Sequence, residues 1–312
     1  MKIDRQQKYQ GLVIALQANF YQVLLNQLGS YGVNELLCTC RTRLTQRGER
    51  ICVGDQVEVE SIDWKQRRAV VVSIGPRSSI LKRPMVANCT RTLVVVTLNE
   101  PNLNPDQLSR FLLTAEAADL PIDVVFNKSD LVTFAIIQQW QKRVYKWGYA
   151  SFAISSRTGE GLHKLRKHLK TSSLSVICGP SGVGKSSLIN SLIPKLNLKV
   201  GSVSGRLQRG RHTTRHVELF PIEPNAMIAD TPGFNRPDLP DEPQSLGWLF
   251  PEIRYAIIKR SCRFRNCLHQ GDLGCAIGIE WDRYRFYRQS LEELLEFNKS
   301  NPVSFIRNRK GI

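Results

Sequence analysis

Residues 179–186 read Gly179-Pro180-Ser181-Gly182-Val183-Gly184-Lys185-Ser186 and lie between an apolar run, LSVICG (174–179), and a helix-like run, SSLINSLI (186–193). No other stretch limits the fold so tightly. The glycines let the backbone turn its N–H groups inward, and the strand-to-helix passage places the positive end of a helix dipole behind them. The spacing G-x-x-x-x-G-K-[ST] in that setting forms a cradle for nucleotide phosphates inside a β-strand–loop–helix unit. Residues Gly179 to Gly184 supply the cradle, and Ser187 belongs to the same helix start. Lys185 reaches the β- and γ-phosphates, and Ser186 is a Mg²⁺ ligand.

The base is chosen elsewhere. Asn127-Lys128-Ser129-Asp130 follows the strand-like run IDVVF directly. In that N-K-x-D pattern the Asp130 carboxylate accepts from the N1–H and N2–H₂ edge of guanine, a pair of donors that adenine lacks. Asn127 either holds O6/N7 or braces the loop, and the Lys128 stem lies along the ring. Ser155 and Ser156 end the run YASFAIS, 25 residues beyond Asp130. They match a short motif whose backbone N–H supports guanine O6. Asp230-Thr231-Pro232-Gly233 ends the run AMIAD (226–230). In D-x-x-G, Asp230 holds a Mg²⁺-bound water and the Gly233 N–H meets the γ-phosphate. In the intervening stretch, Thr214 is the favoured residue to complete the Mg²⁺ shell, with Thr213 the alternative. Together these motifs specify a GTPase.

Their order is unusual. The base-reading motifs at 127–130 and 155–156 precede the phosphate loop, the reverse of the Ras-like order, so the domain resembles a circularly permuted GTPase. Permutation is physically tolerable because domain termini often lie close together at the surface. The permuted end falls just after 230–233, a segment that moves when a γ-phosphate leaves.

Around this centre the pattern changes twice. Residues 9–74 hold five short β-rich runs punctuated by glycines, which fit a small barrel of the OB or the SH3-like kind. Residues 75–90 read as a linker. Between 91 and 235 strands alternate with helical runs such as 105–118 and 135–148, as in a mostly parallel sheet covered by helices. Residues 241–312 carry helical runs, including one near 281–298, and the cluster Cys262-x4-Cys267-x-His269-x5-Cys275. Three thiols and an imidazole fill a tetrahedral zinc shell, which makes the site structural and leaves no open catalytic position. The other five cysteines read as reduced, buried thiols. The expected units are a barrel over 1–75, a GTPase domain over 76–238 and a zinc-binding domain over 239–312.

Charge points to the partner. The chain has 44 Lys and Arg against 27 Asp and Glu, net +17, spread as +4, +10 and +3 over residues 1–80, 81–240 and 241–312. That is not a basic tail, and nucleic acid is the expected polyanion. No apolar stretch approaches the roughly 20 residues of a membrane helix, and the polar N-terminus lacks a signal-peptide core. A cytoplasmic protein is expected, with no membrane partner.

The barrel, NKSD before GPSGVGKSS, GRHTTRHVEL, DTPGF and the Cys₃His cluster together resemble the YjeQ/YloQ family, ribosome small subunit-dependent GTPase A. The resemblance covers almost the whole chain. It implies a multidomain α/β fold: an N-terminal OB-fold barrel, a central circularly permuted P-loop GTPase domain with a mostly parallel sheet, and a C-terminal helical zinc-binding domain. It also implies a late assembly factor of the small (30S) ribosomal subunit, working as a monomer. Such a factor binds the subunit and its rRNA, and hydrolyses GTP to GDP and phosphate faster when bound; the alternative is a nucleotide-gated RNA-binding translation factor with little turnover of its own. Phe234 stands where Ras-like enzymes carry a water-orienting glutamine, so unassisted hydrolysis is expected to be slow. His212 is the candidate water-positioning residue, with an rRNA-facing or structural role as the alternative.

Overall fold

The computed structural model describes residues 7–17, 20–46, 50–82, 85–193, 196, 217–230, 240 and 242–300. The first five strands, β1 (Tyr9–Gln17), β2 (Phe20–Leu25), β3 (Glu35–Cys40), β4 (Gln56–Asp63) and β5 (Arg68–Ile74), follow the β-rich runs of the sequence. They pair in the ring β1-β2-β3-β5-β4-β1, with β3 and β5 parallel and the other pairs antiparallel. That closed five-stranded Greek key, with a short helix α1 (Thr42–Gln46) after β3, is the OB arrangement. Val13, Val23, Leu36, Cys38, Val59, Ile62 and Val71 fill its interior.

The stretch read as a linker holds a hairpin, β6 (Ile80–Lys82) with β7 (Met85–Ala87). Val86 bridges to Val53 of the barrel, and Arg77 pairs with the fully buried Asp55 at 2.7 Å. Leu81 and Val86 join Ile14 and Val53 in one core cluster with Val94, Val96 and Phe126. The barrel is therefore welded to the next domain through packed apolar surface rather than tethered.

The central sheet contains β8 (Arg91–Thr97), β9 (Ile122–Asn127), β10 (Ala150–Ala153), β11 (Leu174–Cys178), β12 (Glu218–Glu223) and β13 (Ala226–Asp230). Its order is β10-β9-β8-β11-β13-β12, parallel except for the β12–β13 pair. A parallel strand covered on both faces reads as a continuous apolar run. Accordingly, Leu93 and Val95 face one core cluster while Val94 and Val96 face the other. The covering helices are α2 (Pro105–Glu116), α3 (Phe134–Lys146), α4 (Leu162–Leu169) and α5 (Lys185–Leu192). Asn104 caps α2 by accepting from the N–H groups of Asp106 (2.8 Å) and Gln107 (3.1 Å), with Pro105 at the first turn. β12 ends this part of the sheet with a register shift after Pro221, and its one pairing with β1, Ala15 with Glu218, carries the sheet on into the barrel.

The last part comprises α6 (Pro243–Leu246), α7 (Pro251–Lys259) and α8 (Tyr284–Ser300) around Phe250, Ile253, Tyr287 and Leu291. It docks on the C-terminal end of α3. Asp282 accepts from Arg143 at 2.6 and 2.7 Å and from the Trp147 indole at 2.8 Å. Arg283, 2% exposed, pairs with Glu252 and faces the rings of Trp147, Tyr149 and Phe250 at 5.0–5.4 Å. No described helix is long and apolar enough to cross a membrane.

Candidate active site and metal centre

In open α/β sheets, ligands bind beyond the carboxyl ends of the strands where the connection order reverses. Here the chain runs β8, β9, β10 to one side and then returns to place β11 on the other side of β8. The loop Gly179–Gly184 emerges at that reversal. It passes so close to β8 that a Cβ on Gly179 (φ +143°) would lie 2.0 Å from the Val95 carbonyl oxygen. The loop ends at Lys185, the first residue of α5, with Ser186 and Ser187 in the first turn.

Lys185 Nζ donates to the carbonyls of Gly179 (2.8 Å) and Pro180 (2.7 Å) across the loop. Burial pushes its pKa down, opposed by Asp230 and Cys178. Asp230, on the neighbouring β13, is pushed up by burial and held back by Lys185. Two opposite charges thus share a desolvated edge, with Lys185 donors turned onto backbone carbonyls that a phosphate oxygen can replace. The Ser186 hydroxyl and the Asp230 carboxylate are hard oxygen donors, the chemistry Mg²⁺ takes.

Asn127 ends β9 and is 2% exposed. Its Nδ2 donates to the Val183 carbonyl (2.8 Å) and more weakly to Gly184 (3.4 Å). Its Oδ1 accepts from the Ser156 N–H (3.2 Å) and hydroxyl (3.0 Å). Of the two roles open to it from sequence, these bonds are those of a brace. One side chain ties the phosphate loop, the end of β9 and the serine pair together. Lys128 adopts a left-handed conformation (φ 57°) and sends Nζ to the Glu100 carbonyl at 2.6 Å. Asp130 accepts from the Ser155 hydroxyl at 2.5 Å and from the Arg157 guanidinium. Those bonds, Ser155 first, hold its carboxyl below the usual carboxylate range. His212, Thr213, Thr214, Gly233 and Phe234 lie outside the described residues.

The Cys₃His group closes into a cluster whose ligand atoms all lie within 4.8 Å of one another. His269 Nδ1 lies 3.6 Å from Cys262 Sγ and 3.8 Å from Cys275 Sγ. A tetrahedral zinc with ordinary bond lengths needs sulfur–nitrogen edges of about 3.6 Å, so the donor set fits the ion. The N–H groups of His269 and Ala276 donate to Cys267 Sγ (3.4 Å) and Cys262 Sγ (3.2 Å), but burial and the neighbouring thiols push the Cys267 pKa up to about 12, so a bound cation would be what holds it as thiolate. Burial lowers the His269 pKa toward the neutral, ligating imidazole. Gly247 makes room for the ring, since a Cβ there would lie 2.8 Å from His269 Cδ2.

Comparison with known proteins extends this geometry. The family model for RsgA GTPase matches residues 74–240. A curated relative from Parasynechococcus marenigrum (strain WH8102), named small ribosomal subunit biogenesis GTPase RsgA, is 53% identical over 293 residues. That alignment spans 93% of this chain and 97% of the relative. The chain belongs to the RsgA GTPase family. It is, accordingly, a GTP hydrolase. A relative of the same name from Thermosynechococcus vestitus is 46% identical over 94% of this chain and 83% of its own length. Among solved structures, YjeQ from Thermotoga maritima superposes with a TM-score of 0.75 at 27% identity, covering 93% of this chain and 99% of that one. YloQ, described as a circularly permuted GTPase, gives a TM-score of 0.74 at 27% identity over 95% and 98%. The permuted order of the RsgA fold is thus seen in solved relatives. A second family model, for a 50S ribosome-binding GTPase, matches residues 175–307.

Sequence reasoning missed three contributors. Arg157 sits on the Asp130 carboxylate, and its only signal was its place after the serine pair. Ser191, one helix turn beyond Ser187, donates to the Ser156 carbonyl at 3.0 Å. Gly247 carries no local signal for its place against His269, because the two are brought together only by the fold.

Proposed function

We propose that this chain acts in late maturation of the small ribosomal subunit, binding the 30S particle through its rRNA and hydrolysing GTP to GDP and phosphate while engaged. One observation carries the reading. The phosphate loop, the NKSD aspartate and Asp230 converge on one sheet edge in a chain matching small-subunit biogenesis GTPases over 93% of its length. The three expected units, 1–75, 76–238 and 239–312, divide the work into RNA binding, hydrolysis and a metal-held docking domain.

In this reading Asp130 accepts the N1–H and N2–H₂ donors of guanine while Ser155 and Arg157 keep it ionised. Ser156, positioned by Asn127, offers its N–H toward O6, and Lys128 covers the ring. The backbone of 179–184 holds the phosphates. Lys185 exchanges the Gly179 and Pro180 carbonyls for β- and γ-oxygens. Ser186, Thr214 and, through water, Asp230 would hold Mg²⁺, which when bound neutralises charge on those oxygens. The Gly233 N–H meets the γ-phosphate. Phe234 can neither orient nor deprotonate water, so that task falls to His212 when rRNA is bound. The segment from Lys199 to Arg215 has five basic residues and no acid, a composition that rRNA phosphates can hold. Zinc in the Cys₃His shell supports the fold of the last domain, one ion per chain. The protein works as a monomer in the cytoplasm.

Linkage requires that whatever the subunit does to GTP affinity, GTP does to subunit affinity. Cosedimentation with purified 30S subunits should therefore be tighter with a non-hydrolysable GTP analogue than with GDP. Equal affinity with both would overturn the coupling. The match to a 50S ribosome-binding model favours a large-subunit reading, but that match begins at β11 and omits the barrel and the NKSD motif.

A further inference from the structure

Between the first two zinc-ligand positions the chain runs Arg263-Phe264-Arg265-Asn266, and all four residues are exposed. The loop is not loose. Arg263 N–H donates to the Gly274 carbonyl at 2.9 Å, Cys267 N–H donates to the Phe264 carbonyl at 3.3 Å, and Cys262 and Cys267 anchor its ends in the metal cluster. The Phe264 ring is 54% exposed and belongs to no apolar cluster, whereas Phe250, Phe286 and Tyr287 of the same domain are buried in its core. The Arg263 guanidinium lies 5.6 Å from the Phe264 ring centroid. Cation–π contact of that kind covers one face of an aromatic ring and leaves the other open.

Charge around the ring has one sign. From Lys259 to His269 there are four basic residues, Lys259, Arg260, Arg263 and Arg265, and no acid. Among the described residues none of the four forms an ion pair. A protein partner would need contiguous apolar area, whereas residues 263–266 offer a single ring among polar side chains, with Leu273 the one other large apolar side chain exposed between Cys262 and Cys275. An unpaired nucleotide needs what is present: a π-face for the base and cations for the flanking phosphates.

We propose that Phe264 is a stacking platform for an unpaired RNA base, with Arg263 backing the ring and Arg265 and Arg260 meeting the adjacent phosphates. This rests on the rRNA-binding reading above and adds to it the kind of RNA element taken, a single-stranded base rather than duplex backbone. The platform is held at a fixed height by the metal loop, so binding does not have to order it.

The test uses the full chain with GDP and a fluorescein-labelled single-stranded 12-nucleotide RNA of mixed sequence, read by anisotropy. Phe264→Leu keeps the apolar volume and removes the π-face. Base–aromatic stacking is worth about 1–3 kcal/mol, so affinity should fall about five- to 150-fold, while Phe264→Tyr keeps wild-type affinity. The slope of log affinity against log salt should stay unchanged in Phe264→Leu and become shallower in Arg265→Gln, which removes a phosphate contact. Zinc content, melting temperature and basal GTP turnover should match wild type in all three variants. The platform is overturned if Phe264→Leu binds as wild type or if Phe264→Tyr loses as much as Phe264→Leu. It is also overturned if the loss is equal on the duplex form of the same RNA, or if a polyglutamate peptide competes as well as the RNA. Failure of the maturation reading would show separately, as wild-type turnover indifferent to 30S subunits.

Discussion

Truncating Asn127 to alanine should weaken every guanine nucleotide without changing which is preferred. The side chain is 2% exposed and makes three hydrogen bonds of ordinary length, to the Val183 carbonyl (2.8 Å) and from the Ser156 hydroxyl (3.0 Å) and N–H (3.2 Å). Alanine leaves a carbonyl of the phosphate loop and an N–H of the serine pair without their partner. At about 1 kcal/mol net per bond, the organised arrangement loses about 2–3 kcal/mol. Because the bonds hold loops that meet only at the ligand, most of that loss should appear in binding, as a roughly 30- to 150-fold weakening. The assay is titration of fluorescent GDP and GTP analogues, with thermal melting as a control for the fold. A brace touches no base atom, so the ratio of GTP to 7-deaza-GTP affinity should be the same in wild type and variant. A loss below threefold, or a GTP preference over the 7-deaza compound that vanishes in Asn127→Ala, would refute the brace and make Asn127 a reader of N7.

Asp130→Asn should shift preference from GTP toward XTP, costing GTP about 1.5–3 kcal/mol through one lost charge-assisted pair; undiminished GTP preference in competition would count against it. Because Asp130 has a lowered pKa in the fold, its ionised, base-reading form should persist as pH falls below the usual carboxylate range and be lost only through that lowered value. Lys185→Ala should abolish measurable triphosphate binding, whereas Ser186→Ala should reduce Mg²⁺-dependent turnover more than nucleotide affinity; wild-type turnover in both would remove the site. Native protein should carry close to one zinc per chain, and Cys267→Ser should lose the metal and subunit binding yet retain guanine nucleotide binding. Metal analysis finding none would contradict the fit of the Cys₃His shell.

Much of this was legible where chemistry is local. The β11–loop–α5 unit and the ends of β9 and β13 are marked by apolar runs that stop at functional residues, so the structure places strand ends at Asn127, Cys178 and Asp230. The stretch ELLCTCRTRL (35–44) reads as one β-rich run, but the strand stops at Cys40 and Thr42–Gln46 turns helical. Cys40 is correspondingly half-buried, while Cys38, Cys52, Cys89 and Cys178 are buried as expected. Pro221 hid β12, because proline argues against a strand unless the strand is at an edge. The β6–β7 hairpin has three residues per strand, too few for periodicity to register. Strand order, which separates an OB barrel from an SH3-like one, depends on the β3–β5 and β1–β4 pairings and leaves no trace in alternation. The Arg143–Asp282 and Arg283–Trp147 contacts join residues more than 130 positions apart, beyond any local signal.

The central claim is that this GTPase is switched on by the small subunit. It is tested most directly by steady-state GTP turnover at fixed enzyme, titrated with purified 30S subunits and, in parallel, with 50S subunits. Turnover should be slow for the chain alone, rise and saturate with 30S, and stay at the basal rate with 50S. A rate flat across the 30S titration, or raised equally by both subunits, would contradict it.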